Sequence, residues 1–166
     1  MPQIKQVYES LSELKGLLEE LKGLVLLERK DITNLNLPGL SERRTGIETL
    51  FSSVRKLNDR TAEQIALACN AFGVSGEKVL SQLITVIPKP DRELFTQLQS
   101  FLQRESIKIE NDLAINRALL KDSLDFTNGS LQMFTGLLKT NTSNTYGQKG
   151  RYLEAVEQPR IICKEI

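Results

Sequence analysis

The chain has 166 residues, of which 40% are apolar, 5% aromatic and none tryptophan. That is the length of one ordinary domain, with a composition suited to aliphatic helix seams more than to a sandwich or barrel. Its 22 basic and 21 acidic residues leave a formal charge of +1, so no global field draws it to nucleic acid or to an anionic membrane.

Residues 3 to about 30 carry Ile4, Val7, Leu11, Leu14, Leu18, Leu21 and Val25 at alternating steps of three and four. The spacing predicts a helix with a coiled-coil-like seam. Gly16 and Gly23 interrupt it, each costing a helix about 1 kcal/mol against alanine, so packing must compensate or a second helix must approach closely there. From Asp31 to Gly39 turn formers predominate and Pro38 disfavours helix at Leu37, which predicts a connection. A second helix is expected from about Leu40 to Phe72. Leu40, Ile47, Leu50, Val54, Leu57, Ile65, Ala68 and Phe72 share its inner face, Thr61 fills the one seam position without an apolar side chain, and Gly73 stops it. Arg43, Arg44, Arg55, Lys56 and Arg60 are interspersed with Glu42, Glu48, Asp59 and Glu63, a solvated and ion-paired face. Between Val74 and Pro90, Ser75 is placed to cap a short helix carrying Val79, Leu80, Leu83 and Ile84, which Pro88 and Pro90 end.

The run from Asp91 to Leu138 then aligns Leu94, Leu98, Phe101, Glu105, Ile109, Leu113, Asn116, Leu120, Leu124, Thr127, Leu131, Phe134 and Leu138 on one face, with no internal proline. Such a helix is roughly 70 Å long against about 40 and 50 Å for the first two, so its C-terminal end is expected to overhang them. That end holds Leu124, Phe126, Leu131, Met133, Phe134, Leu137 and Leu138, apolar on more than one side, while Thr127, Gly129, Thr135 and Gly136 lower its helix propensity. A marginal, sticky end suits a segment that folds against a partner or buries itself in a homodimer. The polar residues Glu105, Asn116 and Thr127 recur every 11 positions, out of step with the first helix, so only partial packing of the two is expected. The architecture is all-α: an elongated antiparallel bundle or coiled coil of three long helices and a short corner helix over residues 1–140, with a flexible tail over 141–166. The start of that tail, Thr140 to Thr145, has no apolar side chain to bury, and residues from about Asn141 are expected to be mobile.

Chemistry is thin along the whole chain. Histidine is absent, which removes the commonest general base and the commonest metal ligand together. Neither a Walker loop nor Gly-x-Gly-x-x-Gly occurs, and Gly129, Gly136, Gly147 and Gly150 follow helix or polar loop in place of a strand. The carboxylates at Glu19, Glu20, Glu110 and Asp112 have no Glu-x-x-His partner for a di-iron site. Cys69 and Cys163 make no disulfide framework, and Cys69 reads as a small buried hydrophobe. No apolar leader is present, and charges interrupt the stretch from Leu11 to Leu27. The expectation is a protein of the cytoplasm that is not an enzyme, takes no metal or cofactor, and has no stable membrane insertion.

The segment Asn116-Arg117-Ala118-Leu119-Leu120-Lys121-Asp122-Ser123-Leu124-Asp125-Phe126, followed by Tyr146-Gly147-Gln148-Lys149-Gly150 with Tyr146 about 25 residues beyond the Asn-Arg-x-Leu-Leu part, resembles the C-terminal signature of the FlgN family. These are cytoplasmic export chaperones for the hook-associated proteins of the bacterial flagellum. The leading helices, the arginine-rich second helix and the turn near Asp31 are similar too, so the likeness covers most of the chain. It implies that the C-terminal part holds a C-terminal segment of a hook-filament junction protein before secretion, through Asn116, Leu119, Leu120, Ser123, Leu124 and Phe126. It also implies that Tyr146, Gly147 and Gly150 dock at the export gate. Residues 151–166 depart from the likeness. Without it, Tyr146 reads as a solvated turn residue or an aromatic anchor, and the whole chain as either a helix-in-groove chaperone or a self-associating coiled coil.

Overall fold

The computed structural model describes residues 2–74 and 76–140, with side chains as far as residue 137. Ser75, the Leu138 side chain and the whole of the expected tail lie outside the described residues. Four helices follow one another: α1 (Pro2–Thr33), α2 (Leu37–Ala71), α3 (Leu80–Val86) and α4 (Lys89–Thr140). The all-α expectation of three long helices and a short corner helix holds. The chain divides into two units, Met1–Lys121 and a second beginning at Asp122.

In the first unit α1 buries all seven residues of its expected stripe, and the stripe runs on through Glu28 to Ile32. The connection to α2 is only residues 34–36, much shorter than Asp31 to Gly39. Pro38 sits in the first turn of α2, where its missing N–H would have had no intrahelical partner anyway. Asn36 caps that turn, its Oδ1 accepting from the backbone N–H of Gly39 at 3.3 Å while its Nδ2 donates to Asp31 Oδ1 at 2.8 Å. At the far end Gly73 adopts φ +67°, the Val74 N–H donates to Cys69 O at 3.0 Å and the Gly73 N–H to Asn70 O at 3.1 Å. This is the Schellman closure that the stop at Gly73 anticipates. The corner helix begins later than expected: Val79 is its N-cap, with no side-chain cap bond. Arg92 donates to Thr85 O and Ile87 O at 2.8 and 3.2 Å, satisfying carbonyls at its C-terminal end.

Two apolar clusters fill this unit. One joins Val7, Leu11, Ala68, Cys69, Leu83, Ile87 and Phe95, the other Leu18, Leu21, Val25, Ile47 and Ile109. Thr61 is buried as expected, its hydroxyl donating to Leu57 O at 2.7 Å. Burial also pushes the Cys69 thiol up, in keeping with a small inert hydrophobe.

The start of α4 is turned from its expected register. Leu94 is 47% exposed and Phe95 only 1%, because Leu83 and Ile87 of the corner join Phe95 in the first cluster and the Tyr8 ring lies 6.0 Å from it. From there α4 runs parallel to α1 and keeps step with it. Tyr8, Lys15, Lys22 and Arg29, seven residues apart beside the α1 stripe, meet α4 in turn. After the Tyr8 ring, Lys15 Nζ stands 4.9 Å from the Phe101 centroid, Lys22 pairs with Glu105 at 2.7 Å and Arg29 with Asp112 at 2.7 Å. The expected mismatch between the two helices is thus not found over this stretch. Each polar residue counted as an 11-residue interruption here, Glu105 and Asn116, is a seam residue with an α1 partner. α2 runs the other way, as Ser10 donating to Gln64 at 2.6 Å and Arg43 facing Asp31 at 3.7 Å require.

Glu105 is mostly buried and is held down to about 2 by hydrogen bonds from Lys22, then Lys108 and, less strongly, Arg104, against the opposing effect of burial. A carboxylate depressed in the folded state contributes stability that is complete above its unfolded value of about 4.3 and fades as pH falls from there through the folded one. Glu105→Gln is therefore expected to lower the urea midpoint at pH 7, with the gap to the parent narrowing between pH 4.5 and 2. Two midpoint curves that stay parallel over that range would contradict the assignment.

Gly16 and Gly23 are exposed, and a Cβ built on either meets nothing within 4 Å. Close approach of another helix is not their role. Gly16→Ala and Gly23→Ala are each expected to add about 1 kcal/mol, by helix propensity and a less flexible unfolded chain. A thermal melt should show a rise of about 2–4 °C for each.

Candidate functional site

The sequence-predicted residues fall on both units. Asn116, Leu119 and Leu120 belong to the first. Asn116 is 1% exposed and committed inside the α1–α4 seam. Its Nδ2 donates to Val25 O at 2.9 Å and Glu28 Oε2 at 2.7 Å, and its Oδ1 accepts from Arg29 Nε at 2.9 Å. All three of these bonds go to α1, so Asn116 helps to hold α4 on α1, and it also lines the cleft beside Leu120. Leu119 and Leu120 are half-buried. Leu120 lines a cleft of about 170 Å³ with Arg44, Ile47, Phe51 and Leu113.

Ser123, Leu124, Phe126, Leu131, Met133, Phe134 and Leu137 lie on the described helix of the second unit. From Asp122 to Leu137 no side chain is buried; Ser123 and Ser130 are half-buried and the others exposed. Phe126 is 78% and Phe134 62% exposed, and Leu124, Leu131, Met133 and Leu137 are exposed with them. Six large apolar side chains on sixteen residues of open helix is far more than scattered surface hydrophobics.

Their spacing has order. One series, Leu124, Thr127, Leu131, Phe134, continues in sequence to Leu138; a second, Ser123, Phe126, Ser130, Met133, Leu137, follows the same alternation of three and four one residue behind it. At about 100° per residue the two series are neighbouring stripes on one helix. Asp122, Asp125, Asn128, Gly129, Gln132, Thr135 and Gly136 occupy the remaining arc. From Phe126 to Leu138 there is no charged residue at all. Two threonine hydroxyls in this stretch turn inward to the helix's own carbonyls, Thr127 to Ser123 O at 2.8 Å and Thr135 to Leu131 O at 2.9 Å. Recognition on this surface rests on shape and apolar area, with little electrostatic steering.

Residues 1–154 match the family described as FlgN protein. The chain belongs to the FlgN family. The match runs a few residues past Gly150, where the likeness read from the signature residues ends. No curated protein and no solved structure matches the chain. A FlgN-family protein is a chaperone in flagellar hook-protein export and not an enzyme. Among the described residues no group of histidine, cysteine, aspartate or glutamate could hold a metal ion, and no helix is long and apolar enough to cross a membrane. Tyr146, Gly147 and Gly150 lie outside the described residues.

Two features of the site were not read from the sequence. Phe126, Met133 and Leu137 are legible as apolar, but their alignment as a second series is not, because Ser123 and Ser130 alternate with them and a search for apolar residues passes over both. The lateral ladder from Tyr8 to Arg29 was legible only as four long side chains seven residues apart, one residue along from the seam.

Proposed function

We propose that this FlgN-family chain is a cytoplasmic export chaperone that binds hook-filament junction proteins of the flagellum and delivers them to the type III export apparatus. The exposed apolar surface between Leu124 and Leu137, with no charged residue from Phe126 onward, supports that reading most directly. Leu124, Phe126, Leu131, Met133, Phe134 and Leu137, with Leu138 next in sequence, hold an amphipathic client helix by helix-in-groove packing. Leu119, Leu120 and Ser123 border that surface in sequence. Residues 1–140 act as the folded body and 141–166 as a tail, in which Tyr146, between small and polar neighbours, is the anchor for the export gate, with Gly147 and Gly150 giving its loop freedom to turn.

The deciding experiment is a titration of the full chain with a full-length hook-filament junction protein, comparing the parent with Phe134→Ala. Truncating an aromatic anchor is expected to weaken binding roughly tenfold or more, while the melting temperature stays unchanged because the ring has no core to leave. An unchanged affinity rejects client binding on this surface. The same sample sized by light scattering tests the alternative of a self-associating coiled coil, for which a tight dimer without client would be the outcome.

A further inference from the structure

A second cleft, of about 260 Å³, lies in the first unit where α2 and α4 flank the α1 seam, and unlike the one at Leu120 it has no charged residue in its lining. We infer that this cleft holds a short extended segment of the client, whose backbone N–H and C=O groups pair with Asn58, Gln99 and Gln103. The inference rests on the chaperone reading above and adds to it a second client site, made only of first-unit residues.

The floor of the cleft is apolar: Leu11 and Leu14 belong to the α1 seam and Ile65 to α2, and all three are buried. Its walls follow from helical spacing. On α2, Asn58, Ala62 and Ile65 share one face at steps of four and three, and on α4 Gln99 and Gln103 stand one turn apart. With a side chain as short as that of Ala62 between Asn58 and Ile65, the α2 wall stays low. The space is smaller than the roughly 300–1,000 Å³ of small-molecule sites, so it suits a side chain and a stretch of backbone better than a cofactor.

Hydrogen-bond chemistry selects the occupant. The carboxamides of Asn58, Gln99 and Gln103 make no hydrogen bond within the described chain, whereas the Thr61 hydroxyl beside them already donates to Leu57 O at 2.7 Å. Each carboxamide offers both a donor and an acceptor. A helix has its own backbone groups already paired, so a helix seated here would cover three carboxamides without satisfying them. An extended chain has those groups free along both edges. On one edge they recur every two residues, about 6.6–6.8 Å apart, close to the rise of about 6 Å between Gln99 and Gln103. With one edge toward α4 and the other toward Asn58 on α2, its alternate side chains point down to Leu11 and Leu14 and up to solvent. A client held before secretion has unpaired backbone to offer, and a second attachment point on the same molecule raises its affinity without enlarging the first.

Two variants of the full chain test the cleft: Asn58→Ala with Gln103→Ala, which removes a carboxamide from each wall, and Ala62→Leu, which fills the space between them. All three positions are exposed, so the melting temperature checks that each variant folds as the parent does. Titration with a full-length hook-filament junction protein is expected to show a loss of roughly tenfold for each. A photo-crosslinker at residue 62 should capture one client segment. A synthetic peptide of that segment should lose its affinity when the backbone nitrogens of one alternate set of residues are methylated. Parent-like affinity in both variants overturns the inference, as does a methylated peptide that binds undiminished or a crosslink to a second copy of the chain. Phe134→Ala separates this site from the broader reading: if it weakens binding while the cleft variants do not, only the cleft is lost. If all three bind as the parent does, the chaperone reading fails as well.

Discussion

Phe95→Ala is expected to destabilise the first unit by about 3–5 kcal/mol, the cost of removing a buried ring and leaving a cavity behind. Phe95 is the largest fully buried side chain among the described residues, and its apolar cluster draws on all four helices: Val7 and Leu11 from α1, Ala68 and Cys69 from α2, Leu83 from α3 and Leu98 from α4 itself, with Ile87 of the corner. So many independent walls cannot all relax inward, and the cavity persists. Leu94, one residue earlier on the same helix, is the control. It is the position that periodicity favours, yet it is exposed, and Leu94→Ala should cost well under 1 kcal/mol. A urea titration of the two variants measures the register of α4 directly. Similar losses at both sites would mean that the helix is turned midway between them.

This register was one of the few parts of the bundle that spacing alone did not decide. Along α1 every apolar residue at the alternating spacing is buried, because that stripe is the only face of the helix on which apolar residues recur without a break. Leu94 and Phe95 are both apolar and both lie near a workable stripe, and the choice falls to Leu83 and Ile87, which come from a separate element. The turn after α1 misled for a local reason: Pro38 was read as a helix breaker, whereas in the first turn a proline loses nothing. Polar residues in the seam posed the deeper difficulty. Glu28, Glu105 and Asn116 sit at core positions, and periodicity counts them as gaps until their partners on the other helix are known. At the candidate site the apolar surplus near the C-terminal end of α4 was plain from composition, because nothing from Phe126 to Leu138 is charged. Its division into two seams was not, since two of the five positions in the second are serine.

Asn116→Ala is the sharpest test of what those polar gaps do, and it is expected to cost the first unit about 3 kcal/mol, since it strips partners from two charged groups at once. Glu28, itself buried, loses the Nδ2 donor at 2.7 Å. Arg29 loses the Oδ1 acceptor of its Nε and keeps only Asp112. A void alone would be a different fault, and Asn116→Leu, of similar volume, tells them apart: it fills the space but leaves Glu28 facing methyl groups, so it should be nearly as destabilising as alanine. Pairing it with Glu28→Leu removes the carboxylate that needs a donor. Because two apolar groups of matching size leave nothing buried and unsatisfied between them, the double variant is expected to recover more than half of the single-variant loss. Urea midpoints of the parent, the two leucine single variants and the double complete the cycle. If the losses simply add, Glu28 and Asn116 are not partners in the folded protein; if Asn116→Ala leaves stability unchanged while weakening client binding, Asn116 belongs to the binding surface and the seam is held by its apolar residues alone.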